Sequence, residues 1–321
     1  MRRVVALAGA AGLAVVGLVL AWPLDTEALV SRPRPAPSYS DALARVQLMQ
    51  SRDGTDINPL CATRLLTHGA QTARSIVLFH GFADCVEQFG RFGGLLFEQG
   101  YNVLIPRAPH HGAADPMSAD LGYLTAAELA GMAEEATDIA RGLGRHVTVV
   151  GLSMGGVMAG FVAQERHDVD RAVLLAPGFV MGGIPPLAAG QAARTLLVLP
   201  NMMRYFNDHD PVADPTYASP RYSTRGVAAI LTLGAAVRER ARRAPPAAAS
   251  VVLVTNAADT QVDNDVAREV AGDWATLAPD RITTYEFPAS LGLSHDVMDP
   301  VQKGQHTDLA YPVLLDLVTG A

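Results

Sequence analysis

The 321-residue chain has few charged residues, no long basic run and two cysteines. Charged side chains make up 18% of the sequence, and 32 acidic against 25 basic residues give a formal net charge of -7. Because no Lys/Arg cluster could follow a phosphate backbone, nucleic acid is not an expected partner. The sequence also contains no internal repeat and no low-complexity tract, whereas 49% of its residues are hydrophobic. A globular domain with a large core is therefore expected.

The two cysteines, Cys61 and Cys85, do not have the spacing of metal ligands. We therefore expect no metal and no other cofactor. In an oxidising compartment the pair would form a disulfide that closes a loop of about 24 residues and contributes about 3 kcal/mol. Two separate buried thiols are the alternative. Since both cysteines flank the predicted strand that ends at His80, a bridge would brace the loop after that strand.

The N-terminal residues 1–24 have the character of a membrane segment. Arg2 and Arg3 precede an apolar run from Val4 to Trp22. This run matches the roughly 20 residues that cross a bilayer and exceeds the ~7–15 residues of a signal-peptide core. We expect residues 1–22 to anchor the protein in a membrane, with the arginines cytoplasmic and the remaining chain outside the cytoplasm. Secretion, or release into the periplasm after signal cleavage, is the alternative.

Residues 25–37 are rich in proline, which predicts a linker, and residues 38–321 then form the folded domain. Within that domain, short apolar runs alternate with amphipathic stretches of helical period. The runs are residues 75–79, 101–105, 146–150, 172–175 and 250–255, and a last strand is expected over 282–287. Continuous apolar runs indicate strands buried on both faces, and the intervening helices indicate parallel crossovers. The predicted fold class is α/β, with a doubly wound, mostly parallel sheet.

The alternation stops after Pro177 and resumes at Ser250. Residues of about 178–248 contain helical pieces separated by prolines and no clear strand. We interpret this segment as a helical cap inserted over the strand ends. Its apolar residues would either pack the cap itself or form a wall that faces the substrate.

Ser153 lies in Gly151-Leu152-Ser153-Met154-Gly155, between a predicted strand and a predicted helix. This context gives the Gly-x-Ser-x-Gly pattern its meaning, because the nucleophile of such a site occupies a strained strand-to-helix turn. Gly151 and Gly155 allow the backbone to bend there. We therefore predict that Ser153 is a nucleophile and that the Met154 N–H is one oxyanion donor. An N-cap serine in a glycine-rich turn is the alternative.

A serine hydroxyl needs a base and an orienting carboxylate, which must come from elsewhere in the chain. Asp259 follows the predicted strand 250–255 and is the expected acid. Asp263 and Asp265 are rivals, although their position near a helix start suits capping. His295 follows the last predicted strand and is the expected base. The other histidines considered are His68, His146, His209 and His306. Asp296, next to His295, is expected to cap the local turn.

The second oxyanion donor is expected from the loop after the first central strand. This loop contains His80-Gly81-Phe82, in which Gly81 permits close backbone approach. The Phe82 N–H is the predicted donor. His80 is expected to brace the loop by side-chain hydrogen bonds.

Together these residues resemble the α/β-hydrolase superfamily, in particular bacterial carboxylesterases and monoacylglycerol lipase-like enzymes. The resemblance rests on His80-Gly81-Phe82, on the Gly-Leu-Ser-Met-Gly-Gly run at 151–156, and on Asp259 and His295 in the order Ser, Asp, His. It implies the α/β-hydrolase fold and a serine hydrolase. One departure is Pro109-His110-His111-Gly112, where the family often has Pro-Gly-His-Gly, so the role of His110 is left open.

The sequence thus predicts a serine hydrolase that cleaves small carboxylic esters through an acyl-enzyme. The apolar cap and the membrane segment favour an ester with a hydrophobic acyl or alcohol portion. An acyltransferase with the same catalytic residues and a non-catalytic binding protein of this fold are the alternatives. The sequence does not indicate an oligomeric state.

Overall fold

The computed structural model describes residues 24–206 and 215–320. The predicted anchor over residues 1–22 lies outside these ranges, as does His209. Within the described ranges, no helix is both long enough and apolar enough to cross a bilayer.

Strands and helices alternate along most of the chain. The strands are β1 Arg64–Leu66, β2 Thr72–Phe79, β3 Tyr101–Ile105, β4 Gly144–Leu152, β5 Arg171–Leu175, β6 Met203–Tyr205, β7 Arg221–Ser223, β8 Val251–Asn256 and β9 Ile282–Phe287. The helices are α1 Tyr39–Gln50, α2 Gly90–Glu98, α3 Ala126–Leu143, α4 Met154–Glu165, α5 Ala189–Val198, α6 Thr224–Ala241, α7 Asn264–Leu277 and α8 Thr307–Thr319. Every central strand predicted from an apolar run is present.

Seven strands form the central sheet in the order β1-β3-β2-β4-β5-β8-β9. Strand β1 is antiparallel to β3, and all other neighbours are parallel. Because β2, β4, β5 and β8 are parallel neighbours, their carboxyl ends lie at one edge of the sheet. Ligands of open α/β sheets bind at that edge.

Helices cover both faces of the sheet, which explains the continuous apolar runs in its central strands. In β2, Val77 and Phe79 belong to one hydrophobic cluster, with residues of α1, α3, α4, α6 and α7. Ile76 and Leu78 belong to a second cluster, with residues of α2 and α8. The predicted doubly wound, mostly parallel α/β sheet is confirmed.

The start of α3 follows the capping signal in the sequence. The Thr125 hydroxyl accepts a hydrogen bond from the Glu128 N–H, and the Glu128 carboxylate accepts one from the Thr125 N–H. These two bonds satisfy groups that a helix start leaves without intrahelical partners.

The stretch over 25–37, interpreted above as a linker, is packed against the domain. The backbone N–H groups of Arg34 and Ala36 donate to Asp138 of α3. Asp138 is also bound by the guanidinium of the buried Arg166, at 2.7 Å. Leu29 is buried, and its carbonyl accepts from Arg240. This part of the chain is therefore held at both ends by α3 and α6.

The segment interpreted as a cap, about 178–248, contains two structural parts. Residues up to Ser223 include α5 and an antiparallel pair of β6 with β7, which the sequence did not predict. Helix α6 then packs into the helical layer, because Ile230, Leu233 and Val237 join the core of the first face. The portion available to cover the strand ends is thus shorter than the sequence suggested.

Candidate functional site

Ser153 occupies the turn between β4 and α4, with φ 57° and ψ -110°. A non-glycine residue rarely adopts this left-handed region, and such strain concentrates at functional sites. The turn also requires the flanking glycines. A Cβ on Gly151 would lie 1.9 Å from the Gly155 carbonyl oxygen, and one on Gly155 would lie 2.0 Å from that of Phe79.

Asp259 and His295 lie side by side at the carboxyl edge of the sheet. The Asp259 Oδ2 is 2.6 Å from the His295 Nδ1, and the Asp259 side chain is fully buried. The other carboxylate oxygen accepts the Gln261 N–H at 2.8 Å. Because both oxygens are engaged, the carboxylate is fixed in orientation toward the ring.

Asn256, at the end of β8, joins the loop of Asp259 to the loop of His295. Its side-chain amide donates to the carbonyls of Leu293 and Ser294, at 2.9 and 3.0 Å. Its own carbonyl accepts the Asp259 N–H, also at 3.0 Å. The backbone on both sides of the Asp259–His295 contact is therefore held by one buried residue.

The loop after β2 is braced by His80, which is buried. Its Nε2 accepts the Ala108 N–H at 3.0 Å, so the ring proton sits on Nδ1, which donates to the Gly81 carbonyl at 2.8 Å. Burial lowers the pKa of His80 to about 4. The ring therefore stays neutral near pH 7 and keeps this arrangement of donor and acceptor.

Ser153 and His295 line one cavity of about 420 Å³, together with Gly81 and Phe82 of the loop after β2. Further apolar lining residues are Met181, Phe206, Pro215, Pro220 and Val262. Further polar lining residues are Asp84, Gln88, Ser219, Gln261, Asp296 and Gln302. The cavity lining thus combines apolar and polar side chains.

Met154 is the first residue of α4, where backbone N–H groups have no intrahelical acceptor. Its side chain is buried in the core, so its backbone is the part available to the turn. Phe82 packs close to α6, since a Cβ on Gly226 would lie 2.4 Å from its ring. Met154 thus follows Ser153 directly in the chain, and Phe82 lines the same cavity as Ser153.

Three carboxyl groups, those of Asp84, Asp296 and Asp299, have oxygens within 4.8 Å of one another. Among the residues that the structure describes, these three carboxyl groups are spaced so that they could hold a cation. Burial raises the pKa of all three, to about 6 for Asp299 and well above the usual range for Asp84. Burial therefore makes each of these carboxyl groups harder to ionise than it would be in water.

Asp84 and Gln88 line the cavity of Ser153, although the sequence analysis did not predict this. Asp84 follows the His80-Gly81-Phe82 motif closely, and Gln88 lies one turn further, in the short 3₁₀ helix Val86–Phe89. The close sequence position of Asp84 to the motif was a signal for its placement. Nothing in the sequence indicated that the Gln88 side chain would turn toward the cavity.

Cys61 and Cys85 are joined by a disulfide bond, and both are fully buried. Cys85 directly follows Asp84 and precedes the short helix that carries Gln88. The bridge therefore connects the loop after β2 to the segment before β1.

The rival residues lie elsewhere. Asp263 caps α7 by accepting the N–H groups of Asp265 and Val266, and Asp265 pairs with Arg268 at the surface. His68 stacks on Phe97. His146 lies near Asp170, and His306 precedes α8.

His110 has a φ of 64° and contacts Glu128 at 3.1 Å. It is not among the residues that line the cavity of Ser153. Asp296 does cap its local turn, since its Oδ1 accepts the N–H groups of Met298 and Asp299.

Solved structures with the same fold include three lipolytic enzymes. A monoacylglycerol lipase from Paleococcus ferrophilus superposes with a TM-score of 0.61 at 18% identity, over 80% of this chain and 98% of that one. A soluble variant of monoglyceride lipase from Saccharomyces cerevisiae, in complex with a substrate analogue, gives 0.61 at 13% identity, over 80% and 90%. A structure from the work on LipS and LipT, two metagenome-derived lipolytic enzymes, gives 0.59 at 16%, over 83% and 100%.

At such low identities these likenesses show the fold. No curated protein sequence matches the chain significantly. The family model described as "Alpha/beta hydrolase family" matches residues 76–301, which is more than half of the chain and includes Ser153, Asp259 and His295. The chain belongs to the alpha/beta hydrolase family.

Proposed function

We propose that the protein is a serine hydrolase that cleaves carboxylic esters, with Ser153 as nucleophile, His295 as base and Asp259 as the orienting acid. The observation that carries the proposal is the 2.6 Å contact of Asp259 with His295, on the wall of the cavity that also contains Ser153. Ser153 in turn has the left-handed backbone of a nucleophile turn.

We infer the roles of the two ring nitrogens from this contact. The ionised Asp259 carboxylate accepts the proton on His295 Nδ1, which leaves Nε2 of the neutral ring as the basic nitrogen. Nε2 takes the proton of the Ser153 hydroxyl as Oγ attacks the ester carbonyl carbon. Asp259 then stabilises the imidazolium that forms.

The oxyanion of the tetrahedral intermediate is held by the N–H groups of Phe82 and Met154 in this proposal. His295 returns its proton to the alkoxide, the alcohol leaves, and the acyl group stays on Ser153. Water then gives a proton to His295 as its oxygen attacks the acyl carbon, His295 passes that proton to the departing Ser153 Oγ, and the carboxylic acid is released. Every step uses groups of this chain, the ester and water.

The proposed substrate is a small ester with a hydrophobic acyl or alcohol portion. The apolar side chains that line the cavity, which include Met181, Phe206 and Val262, support this class. The cavity volume of about 420 Å³ is in the range of small-molecule sites. The structural neighbours described as lipolytic enzymes and monoacylglycerol lipases agree with it.

Purified protein tests the proposal with p-nitrophenyl esters of increasing acyl length and with monoglycerides. We expect hydrolysis that requires Ser153 and is lost in Ser153→Ala. Adding a competing alcohol shows where the acyl group goes. Free acid as the main product supports a hydrolase, whereas an ester of the added alcohol as the main product identifies an acyltransferase. Folded wild-type protein without either activity contradicts the proposal.

We further propose that the protein works outside the cytoplasm, anchored through residues 1–22. The apolar run between Val4 and Trp22 and the Cys61–Cys85 disulfide support this location. Cell fractionation with N-terminal sequencing is the test. A mature chain that begins beyond Trp22 in the soluble periplasmic fraction would show a cleaved signal instead.

A further inference from the structure

Gln88 is a buried side chain that connects two loops of the candidate site. It is 3% exposed. Its Oε1 accepts the Gly81 N–H at 2.7 Å. Its Nε2 donates to Asp84 Oδ2 at 2.9 Å and to Asp296 Oδ2 at 2.7 Å. Both amide protons and the amide oxygen are therefore engaged.

The partners fix the orientation of this amide. A backbone N–H can only donate, so it must face Oε1, and the carboxylate oxygens then face the NH₂ group. A flipped amide would set donor against donor at Gly81. The side chain therefore has one arrangement that satisfies all its partners.

The two ends of the bridge adjoin residues of the proposed chemistry in the sequence. Gly81 precedes Phe82, the proposed oxyanion donor. Asp296 follows His295 directly, and its second oxygen holds the N–H groups of Met298 and Asp299. Gln88 and Asp296 are 208 residues apart in the sequence. One side chain thus joins the loop of the oxyanion donor to the loop of the base.

Burying a polar side chain at this position costs free energy unless its hydrogen bonds are satisfied. Val86 and Phe89 beside it are fully buried and apolar, and a residue that served packing alone could be apolar too. Instead the fold places an amide between two carboxyl groups, and a buried network of this kind is stable only when every member is satisfied. This arrangement favours a role in geometry over a role in packing.

We propose that Gln88 is a positioning residue for the ester hydrolysis proposed above, holding the Phe82 N–H and His295 in a fixed relation across Ser153. Gln88 does not touch the reacting atoms in this account. It acts through Gly81 and through Asp296. The inference rests on the proposed function.

The first test replaces the amide by an apolar side chain of similar length, in Gln88→Met. We expect kcat to fall about 10-fold to 100-fold, because a small misplacement of catalytic groups costs up to about that much. KM should stay within about twofold, since the apolar side chains that line the cavity are unchanged.

Gln164→Met is the matched control. Gln164 is also buried and doubly hydrogen-bonded, to the Trp274 indole N–H and to the Pro245 carbonyl. We expect its Tm to fall while kcat stays within about twofold of wild type. A similar loss of kcat in both variants would attribute the Gln88→Met effect to general destabilisation and overturn the inference.

The second test reverses the polarity of one hydrogen bond. Gln88→Glu places a third carboxylate against Asp84 and Asp296, and Asp296→Asn places a donor against the Gln88 donor. In the double variant, the new amide at 296 can donate to the new carboxylate at 88, and the number of carboxyl groups equals that of wild type. We expect each single variant to lose at least about 10-fold in kcat and the double variant to recover part of it, because the amide that donated to Asp84 is still absent.

The outcomes separate the two proposals. Wild-type protein that hydrolyses no ester overturns the proposed function and this inference with it. An active wild type whose kcat is unchanged in Gln88→Met overturns the inference alone. If Gln88→Met does not fold, the reciprocal pair decides, because losses that multiply in the double variant contradict a positioning role.

Discussion

Asp259 and His295 are 36 residues apart in the sequence, and their side chains meet at 2.6 Å. The Asp259 side chain is fully buried and that of His295 is 12% exposed. A carboxylate in this setting fixes both the tautomer and the orientation of the ring.

Asp259→Asn should therefore lower kcat by about 10²-fold to 10⁴-fold, because the amide no longer selects the ring tautomer with a basic Nε2. Asp263→Asn is the control, since Asp263 accepts the first N–H groups of α7. It should keep its activity and nearly all of its stability, because asparagine caps a helix about as well as aspartate. Steady-state kinetics with one ester decide the matter. The reverse pattern would move the acid to Asp263.

Gly155→Ala should destabilise the turn of Ser153 by about 3 kcal/mol, because the new Cβ would meet the Phe79 backbone at 2.0 Å. Gly131→Ala provides the comparison. Gly131 lies inside α3 with open space around it, so alanine there should be neutral or stabilising by up to about 1 kcal/mol. Denaturant unfolding measures both. Equal stability of the two variants would contradict the tight turn.

The Cys61–Cys85 disulfide closes a loop with a separation of 24 residues. Its removal in Cys61→Ser/Cys85→Ser should lower the free energy of unfolding by about 3 kcal/mol on the chain-entropy account. Wild-type protein in reducing agent should show the same loss, and the double variant should show no further change on reduction. An unchanged Tm in all three samples would mean that the bond is not formed.

Asp299 gives the protein a specific pH dependence. Its pKa is about 6 in the folded state because the carboxyl is buried, against an ordinary value of 3.8. The folded state thus binds the proton more tightly, and this group lowers the free energy of unfolding as the pH rises from about 4 to about 6. Above that range the loss is constant, at about 2–3 kcal/mol.

Asp299→Asn removes this titration, so its stability relative to wild type should increase between pH 4 and pH 7. The lowered pKa of His80 acts with the opposite sign, but it is present in both proteins and cancels in the difference. Asp84, Asp296, Glu87 and Tyr217 also act on Asp299. A stability difference that does not change with pH would contradict the raised pKa.

The sequence predicted the sheet well because burial on both faces leaves a strong local signal. Residues 76–79 are apolar without interruption, and the structure places them between two helical layers. The start of α3 was predictable for the same reason, since a capping box lies within four consecutive residues.

Features that depend on distant contacts were not predictable. The β6–β7 pair joins strands of three residues, which is too short for an alternating pattern. The stretch over 25–37 has a linker composition, yet Asp138 and Arg240 hold it to the domain. The Gln88 bridge spans 208 residues, and no local pattern marks it.

The most direct test of Ser153 as the nucleophile is labelling by a fluorophosphonate probe, which reacts with an activated serine hydroxyl. Folded wild-type protein should be labelled, mass spectrometry should locate the label on Ser153, and Ser153→Ala should not be labelled. Folded wild-type protein without label, or label on another residue that persists in Ser153→Ala, would contradict the central claim.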